Sequence, residues 1–323
     1  EDNKISRVST SNLRGDIVID ATGKILTPGI IPTDTDIGIV EIGALSVTRD
    51  DSSDLYQIGF SIFDAFNPNS VLIPWNRSNG ITSTLTLPQN TDSPIGGLGS
   101  FFVLDSNIEI SGSKDIVMIG RVGASGGESR AETFSIMKDL LEFASSLDSK
   151  DMGSYKEIAE LIEDSPIAET MELHPRDLQA LYKLVNDDLP LIINANRASD
   201  LLKLIEIKRK YDLNLIIMGA QEAGLVANQI AENDIPLIIN PINNIPESFD
   251  ELAANIELAA KLEKLGITIM FNAPRSHNFH LVRQGAGVAV ANGMSYAGAI
   301  KALTLSPVEV FNLGDRGQIA KGK

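Results

Sequence analysis

No cysteine occurs in this chain, which at once excludes disulfides, thiolate catalysis and cysteine-ligated zinc. The compartment stays open, because a cysteine-free protein tolerates either redox environment; cytoplasmic and periplasmic placement are both compatible. Histidine is almost as scarce, with three in 323 residues, so any imidazole centre must draw on His174, His277 and His280. No apolar run approaches the roughly 20 residues that cross a bilayer, and no secretory leader is visible at Glu1. The opening, EDNKISRVST, lacks an initiator methionine and starts inside a strand-like stretch. We therefore expect a processed or trimmed chain, with a secreted precursor as the alternative. Basic residues are outnumbered, 27 Lys and Arg against 43 Asp and Glu, for a formal charge of −16. Phosphate backbones need clustered Lys and Arg, so nucleic acid is excluded as a partner. A small-molecule substrate or ligand remains, without a membrane partner, and a homo-oligomer is compatible.

What is present is apolar mass: 43% of the residues are hydrophobic, enough for a large core. The stretch from Gly23 to Gly38, GKILTPGIIPTDTDIG, carries the densest information. Two apolar segments flank a Pro-Gly turn and end in Asp34-Thr35-Asp36, which reads as a buried strand with acids at its C-terminal end. Residues two apart on a strand share a side, so Asp34 and Asp36 are expected on one face. Two close carboxylates need a metal ion, a basic residue or a shared proton between them.

Further along, ITSTLTLP (81–88) and DIVMIG (115–120) read as strands. Between them QNTDSPIGGLGSFFVLD reads as a flexible loop, with Gly96-Gly97 and Gly99 offering only a weak phosphate-cradle signal. Four near-continuous apolar runs then recur: LPLIINAN (189–196), LNLIIMGA (213–220), IPLIINP (235–241) and ITIMFNA (267–273). Continuous apolarity means burial on both faces, as in a parallel sheet. Helical patterns follow each run: Ser199 to Tyr211, Gln221 to Asn233, Phe249 to Leu265, and His277 to Asn292. Such repeats imply βαβ crossovers. Seven strands are convincing; an eighth would fall between Asp164 and His174, where SPIAETMEL is a poor candidate. The count alone also suits an open doubly wound sheet.

The words GKILTPGII before an acid-x-acid pair resemble the first barrel strand of the amidohydrolase superfamily, of the imidazolonepropionase and dihydroorotase kind. The late segment YAGAIKALTLSPVEVFNLG is similar to that family's helix pair, with Ser306-Pro307 standing for its Asn-Pro. The resemblance covers nearly the whole chain. It implies an α/β fold, a TIM (β/α)8-like barrel over 25–313, with a small, incomplete flanking β-sandwich from 1–24 and 314–323. It also implies hydrolysis of a C–N bond in a small amide or cyclic amide at a divalent metal centre. The metal ligands of the family do not carry over. Asp34 and Asp36 stand at its His-x-His pair, Asn194 at its strand-five histidine, Met218 or Gly219 at its strand-six histidine, and Pro274 at its strand-eight aspartate.

In a TIM barrel the site forms at the C-terminal strand ends. That rule nominates Asp34, Asp36 and His277 as catalytic, and Asn194, Arg197, Glu222, Asn272 and Arg275 as substrate-binding. Asp34 and Asp36 are also the metal candidates, with Mg or Mn favoured over Zn by their oxygen donors. Bland readings stand beside these. Arg197 or Arg275 would neutralise the aspartates, Arg197 would pair with Glu222 or Asp200, and His277 would begin a helix. The His277/His280 spacing admits a metal pair, but packing or surface placement explains it as well. His174 reads as a surface residue near a helix start, and Trp75 as packed in the outer layer. Two functions follow: a hydrolase with a degenerate metal site, or an inactive barrel that binds a small ligand or supports an active partner.

Overall fold

The computed structural model describes residues 4–11, 13–89, 93–105, 107–123, 129–243, 245–273 and 276–323, with the backbone alone at Ser276 and His277. Seven strands form one sheet in sequence order: β1 (Ser83–Thr86), β2 (Ile95–Val103), β3 (Gly112–Arg121), β4 (Leu191–Ala195), β5 (Leu215–Gly219), β6 (Leu237–Ile239) and β7 (Ile269–Phe271). From β3 to β7 every pairing is parallel, whereas β2 runs antiparallel to both of its neighbours. The helices used below are α2 (Arg130–Ser145), α5 (Pro175–Asn186), α6 (Ala198–Tyr211), α8 (Leu258–Lys264) and α10 (Tyr296–Val310).

Apolarity on both strand faces has a direct structural counterpart. Ile192, Ile216, Ile238 and Met270 point to one side and join Leu85, Phe101, Val117 and Ile119 in a cluster. Their chain neighbours Leu191, Ile193, Leu215, Ile217, Leu237 and Ile239 join the larger core beneath the helices. Parallel strands covered on both faces require this pattern. The joints between helix and strand repeat as well. Asp188, Asp212 and Asp234 each adopt a left-handed backbone, φ 50–55°, just before β4, β5 and β6. Aspartate tolerates that region, and the turn lets Leu189, Leu213 and Ile235 donate N–H bonds back to Lys183, Lys208 and Ile230.

The sheet curls. Segment 30–35 lies parallel beside β1, bridged at Ile30–Ile81 and Thr35–Thr86. On its other side the Ile31 N–H donates to the carbonyl of Leu303 at 2.9 Å. That carbonyl is available because Pro307, inside α10, has no N–H to return to it. Beyond Pro307, Val308, Phe311 and Leu313 join the inner apolar cluster and close that end. Among the described residues no helix is long and apolar enough to cross a membrane.

Several expectations change. The apolar strand of the opening stretch starts at Ile30, since Ile25 and Leu26 are exposed. Residues 164–174 form no strand; Pro166–Thr170 is helical, with Ser165 as its cap. The extra strand is β2, where a flexible loop was expected. Its glycines hide it from a propensity reading, yet they permit close packing: a Cβ on Gly99 would lie 2.5 Å from Leu87 and 2.8 Å from Val117. No strand occurs among the described residues of 4–29, so the flanking sandwich is not seen as sheet. The two ends do meet, with Ile5 N–H donating to Lys323 and Gly322 N–H to Ile5. The helix expected from Phe249 begins only at Leu258, and the one from Gln221 is split into Ala223–Leu225 and Ala227–Glu232.

Asp177, 1% exposed in the first turn of α5, ties the long 37–67 connection to the body. Its Oδ1 accepts from Gly59 N–H at 2.7 Å, and its Oδ2 closes a capping box on His174 N–H at 3.0 Å. Asp177→Ala would leave two N–H donors without acceptors. Each costs about 1–3 kcal/mol when buried, so thermal unfolding should show a loss near 3 kcal/mol. A shift of only a few tenths would remove this anchor.

Candidate functional site

At the C-terminal ends of the parallel strands two adjoining cavities open, about 110 and 230 Å³, and Asp34, Asn194 and Met218 line both. Asn196, Gln221, Asn240, Asn243, Glu251 and Asn272 complete the polar wall of the larger one. Amides dominate, two carboxylates are present, and no histidine, lysine or arginine is among the described lining residues. Arg121 ends β3 in register with Asn194 but does not line either cavity.

Asp34 is 8% exposed and accepts a hydrogen bond from Asn272 Nδ2 at 3.3 Å, which joins the end of β7 to segment 30–35. The other half of that amide, Asn272 Oδ1, is buried with no hydrogen-bond partner. A buried acceptor without a donor carries a desolvation penalty that a ligand N–H or O–H would relieve. Asn194 and Asn196 reach the mouth from β4, and their amide oxygens converge on Gly219. A Cβ there would sit 2.4 Å from Asn196 Oδ1 and 3.2 Å from Asn194 Oδ1, and Gly219 has φ +86°. So at one of the two positions where the resemblance expects a metal-binding histidine, the asparagine amides occupy the space a side chain would need. Asn196 is further fixed: its Nδ2 donates to Glu251 Oε1 at 2.8 Å, and its backbone carbonyl accepts from Glu222 N–H.

Of the nominated residues, Asp34, Asn194 and Asn272 meet in one cavity. Asp36 is 5% exposed but does not line it, because the extended segment ends at Thr35 and Asp36 enters a turn, its carbonyl accepting from Ile39 and Val40. The expectation that both aspartates share the mouth is thereby corrected. Glu222 is buried, with both oxygens on backbone: Oε2 accepts from Ala198 N–H at 2.9 Å and Oε1 from Ala253 N–H at 3.1 Å. Arg197 occupies the N-cap position of α6 without a side-chain cap bond, exposed and outside the lining. Arg275 and the His277 side chain lie outside the described residues. His280 sets its ring edge-on to half-exposed Trp75 at 5.6 Å, and His174 caps α5 through Nδ1. Sequence reasoning passed over Glu251, which falls inside a stretch that read as helix and carried no signal of its own.

Whether these side chains suit a resident catalytic metal is a question of donors. No cluster of three or more His, Cys, Asp or Glu placed for a metal ion occurs among the described residues. The two carboxylates that line the larger cavity are Asp34 and Glu251, the first bonded to the Asn272 amide and the second to the Asn196 amide. The described residues do not fit a catalytic zinc, which takes three protein ligands with histidine prominent.

The structural neighbours of this chain are amidohydrolases and a prolidase, in keeping with the resemblance carried by GKILTPGIIPTDTD. An amidohydrolase from Thermotoga maritima MSB8 aligns over 100% of this chain and 86% of its own, with TM-score 0.80 and 22% identity. A prolidase solved with N-methylphosphonate-L-proline aligns over 99% and 83%, with TM-score 0.53 and 13% identity. At such identities the likeness establishes the fold. No family model and no curated protein sequence matches the chain.

The packing at Gly219 is testable. Gly219→Ala combines a left-handed backbone with a clash, and such strain costs on the order of 1–3 kcal/mol. We expect a lower unfolding temperature together with a displaced Asn196 amide, visible in side-chain amide NMR signals. An unchanged protein would mean the convergence on Gly219 is slack.

Proposed function

We propose that the chain is a hydrolase that cleaves a C–N bond in a small amide or cyclic amide, using Asp34 and the amide-rich wall rather than a histidine-held metal. One observation carries the reading: Asp34, Asn194 and Asn272 converge in a single cavity at the strand ends, the position from which barrel folds work. In this scheme Asp34 accepts a proton from water as the water oxygen bonds to the carbonyl carbon. Asn194 and Asn272 donate N–H bonds to the oxygen that becomes negative. The C–N bond then breaks, and Asp34 returns the proton to the leaving nitrogen. Two lining carboxylates and no described lining base favour a neutral or cationic substrate over an anion. An N–H or O–H on that substrate would satisfy Asn272 Oδ1.

The second reading, a catalytically inactive barrel that holds a small ligand or supports an active partner, draws on the absence of a three-ligand cluster among the described residues. One experiment separates them. Purified protein is assayed against a panel of neutral amides, cyclic amides and carboxylate-bearing analogues, with and without added Mg2+ or Mn2+, beside Asp34→Asn. General-base removal typically costs 10²–10⁴-fold, so the variant should lose at least about 100-fold in rate while still binding. No turnover of any member under any condition, with ligand-induced thermal stabilisation retained, would select the binding protein.

A further inference from the structure

Glu251 reaches the mouth from segment 245–257, the connection that leads from β6 toward α8. This segment is not held by burying its own apolar side chains. Ile245, Phe249, Leu252 and Ile256 are all exposed, Phe249 by 89%. Its attachments are polar and concentrate on residues 250, 251 and 253. Arg130, the first residue of α2, links α6 to this segment: its Nε donates to both Asp200 oxygens at 3.1 and 2.9 Å, and its Nη2 is in ionic contact with Asp250 Oδ1 at 2.5 Å. Asp200 belongs to the first turn of α6 and its side chain is 4% exposed. The next residue after Asp250 is Glu251, held by Asn196 at 2.8 Å. Two residues further, the Ala253 N–H donates to Glu222, whose other oxygen caps α6 at Ala198. Gly123 clears the space for the fork: a Cβ there would lie 2.9 Å from Asp250 Oδ2 and 3.1 Å from Arg130 Nη2.

We propose that Arg130 is a positioning residue which, with Glu222, holds segment 245–257 against the mouth so that Glu251 faces the cavity, and that loss of the Arg130–Asp250 arm withdraws this carboxylate from the site. The argument is geometric. The guanidinium donates two hydrogen bonds from Nε to Asp200 while Nη2 stays in ionic contact with Asp250, and a lysine ammonium, a single point charge, does not reproduce both arms from this position. Because the segment's apolar side chains face solvent, little else resists its departure once the polar anchors weaken. Asp200 keeps its place on the fork in every state, so α2 and α6 stay joined while the segment moves. Asp200 foremost, then Asp250, keep the guanidinium's pKa above its ordinary value against the opposing effect of burial, so neutral pH does not release the arm. The inference goes beyond the proposed reaction and stands whether the mouth hydrolyses or only binds.

The test uses the full chain and needs no ligand. Carboxylates are labelled with a water-soluble carbodiimide and glycine ethyl ester, and amide hydrogen exchange is followed by mass spectrometry. Asp250→Asn and Arg130→Lys are compared with the parent protein, the first leaving the buried Asp200–Arg130 pair intact. We expect labelling of Glu251 to rise at least threefold in both variants. Exchange over 247–257 should quicken about tenfold, while β4, β5 and α6 exchange as before. Unchanged Glu251 labelling in Asp250→Asn would overturn the proposal. So would faster exchange spread evenly through α2, α6 and the sheet, since that is what a purely structural ion pair produces. If Arg130→Lys fails to fold, Asp250→Asn alone decides.

Discussion

Segment 30–35 closes one edge of the curled sheet, and its own outer side finds a partner in a helix. Segment 30–35 is bonded to β1 on one side, but on the other the Ile31 N–H meets the carbonyl that Pro307 leaves unused in α10. A proline in a helix interior ordinarily weakens the helix by about 3 kcal/mol. In this place it converts a carbonyl from a helical rung into an acceptor for a strand. Everything downstream of that contact depends on it: Asp34 lies three residues on from Ile31, and its distance from Asn272 is set by where segment 30–35 docks. The apolar end of α10, with Val308 and Phe311 inside the curl, fixes the same docking from below.

The four regular strands were legible because burial on both faces leaves no room for polar residues, and a run such as LIINA or LIIMG has few other uses. Left-handed aspartates precede three of them, and Gly266 takes that place before β7. β2 was not legible for the converse reason. Glycine carries no strand preference of its own, and only the approach of Leu87 and Val117 explains Gly99. Phe249, Leu252 and Ile256 recur at helical spacing, yet the local pattern does not become a helix where no surface takes its apolar face. For the site, the strand-end rule nominated Asp34, Asn194 and Asn272, which line one cavity. It could not find Glu251, which arrives from a connection rather than a strand, and it wrongly paired Asp36 with Asp34 because a turn at Asp36 breaks the period of two.

A pocket walled by carboxamides recognises ligands differently from one walled by imidazoles. An imidazole offers a metal a lone pair; a carboxamide offers a ligand one acceptor and two donor hydrogens without charge. Five asparagines and one glutamine around Asp34 therefore make a wall that can match amide or hydroxyl groups in several directions, with the carboxylate as the one strong acceptor on segment 30–35. Gly219 shows how tightly the space is filled: a side chain there would displace the amides of Asn194 and Asn196.

Glu222, an acid at a strand end, is engaged by the protein's own backbone. Its two oxygens are spent on backbone N–H groups of α6 and of segment 245–257, and a carboxylate bridging two elements is more useful for holding them than for reacting. The acids at this end of the molecule thus divide by what they touch. Asp200 and Glu222 touch protein on every side and set the distances, whereas Asp34 and Glu251 keep a face on the cavity. Glu251 sits on the segment that Arg130 and Glu222 contact, whereas Asp34 takes its place from the docking of segment 30–35, so separate parts of the fold position the two lining acids.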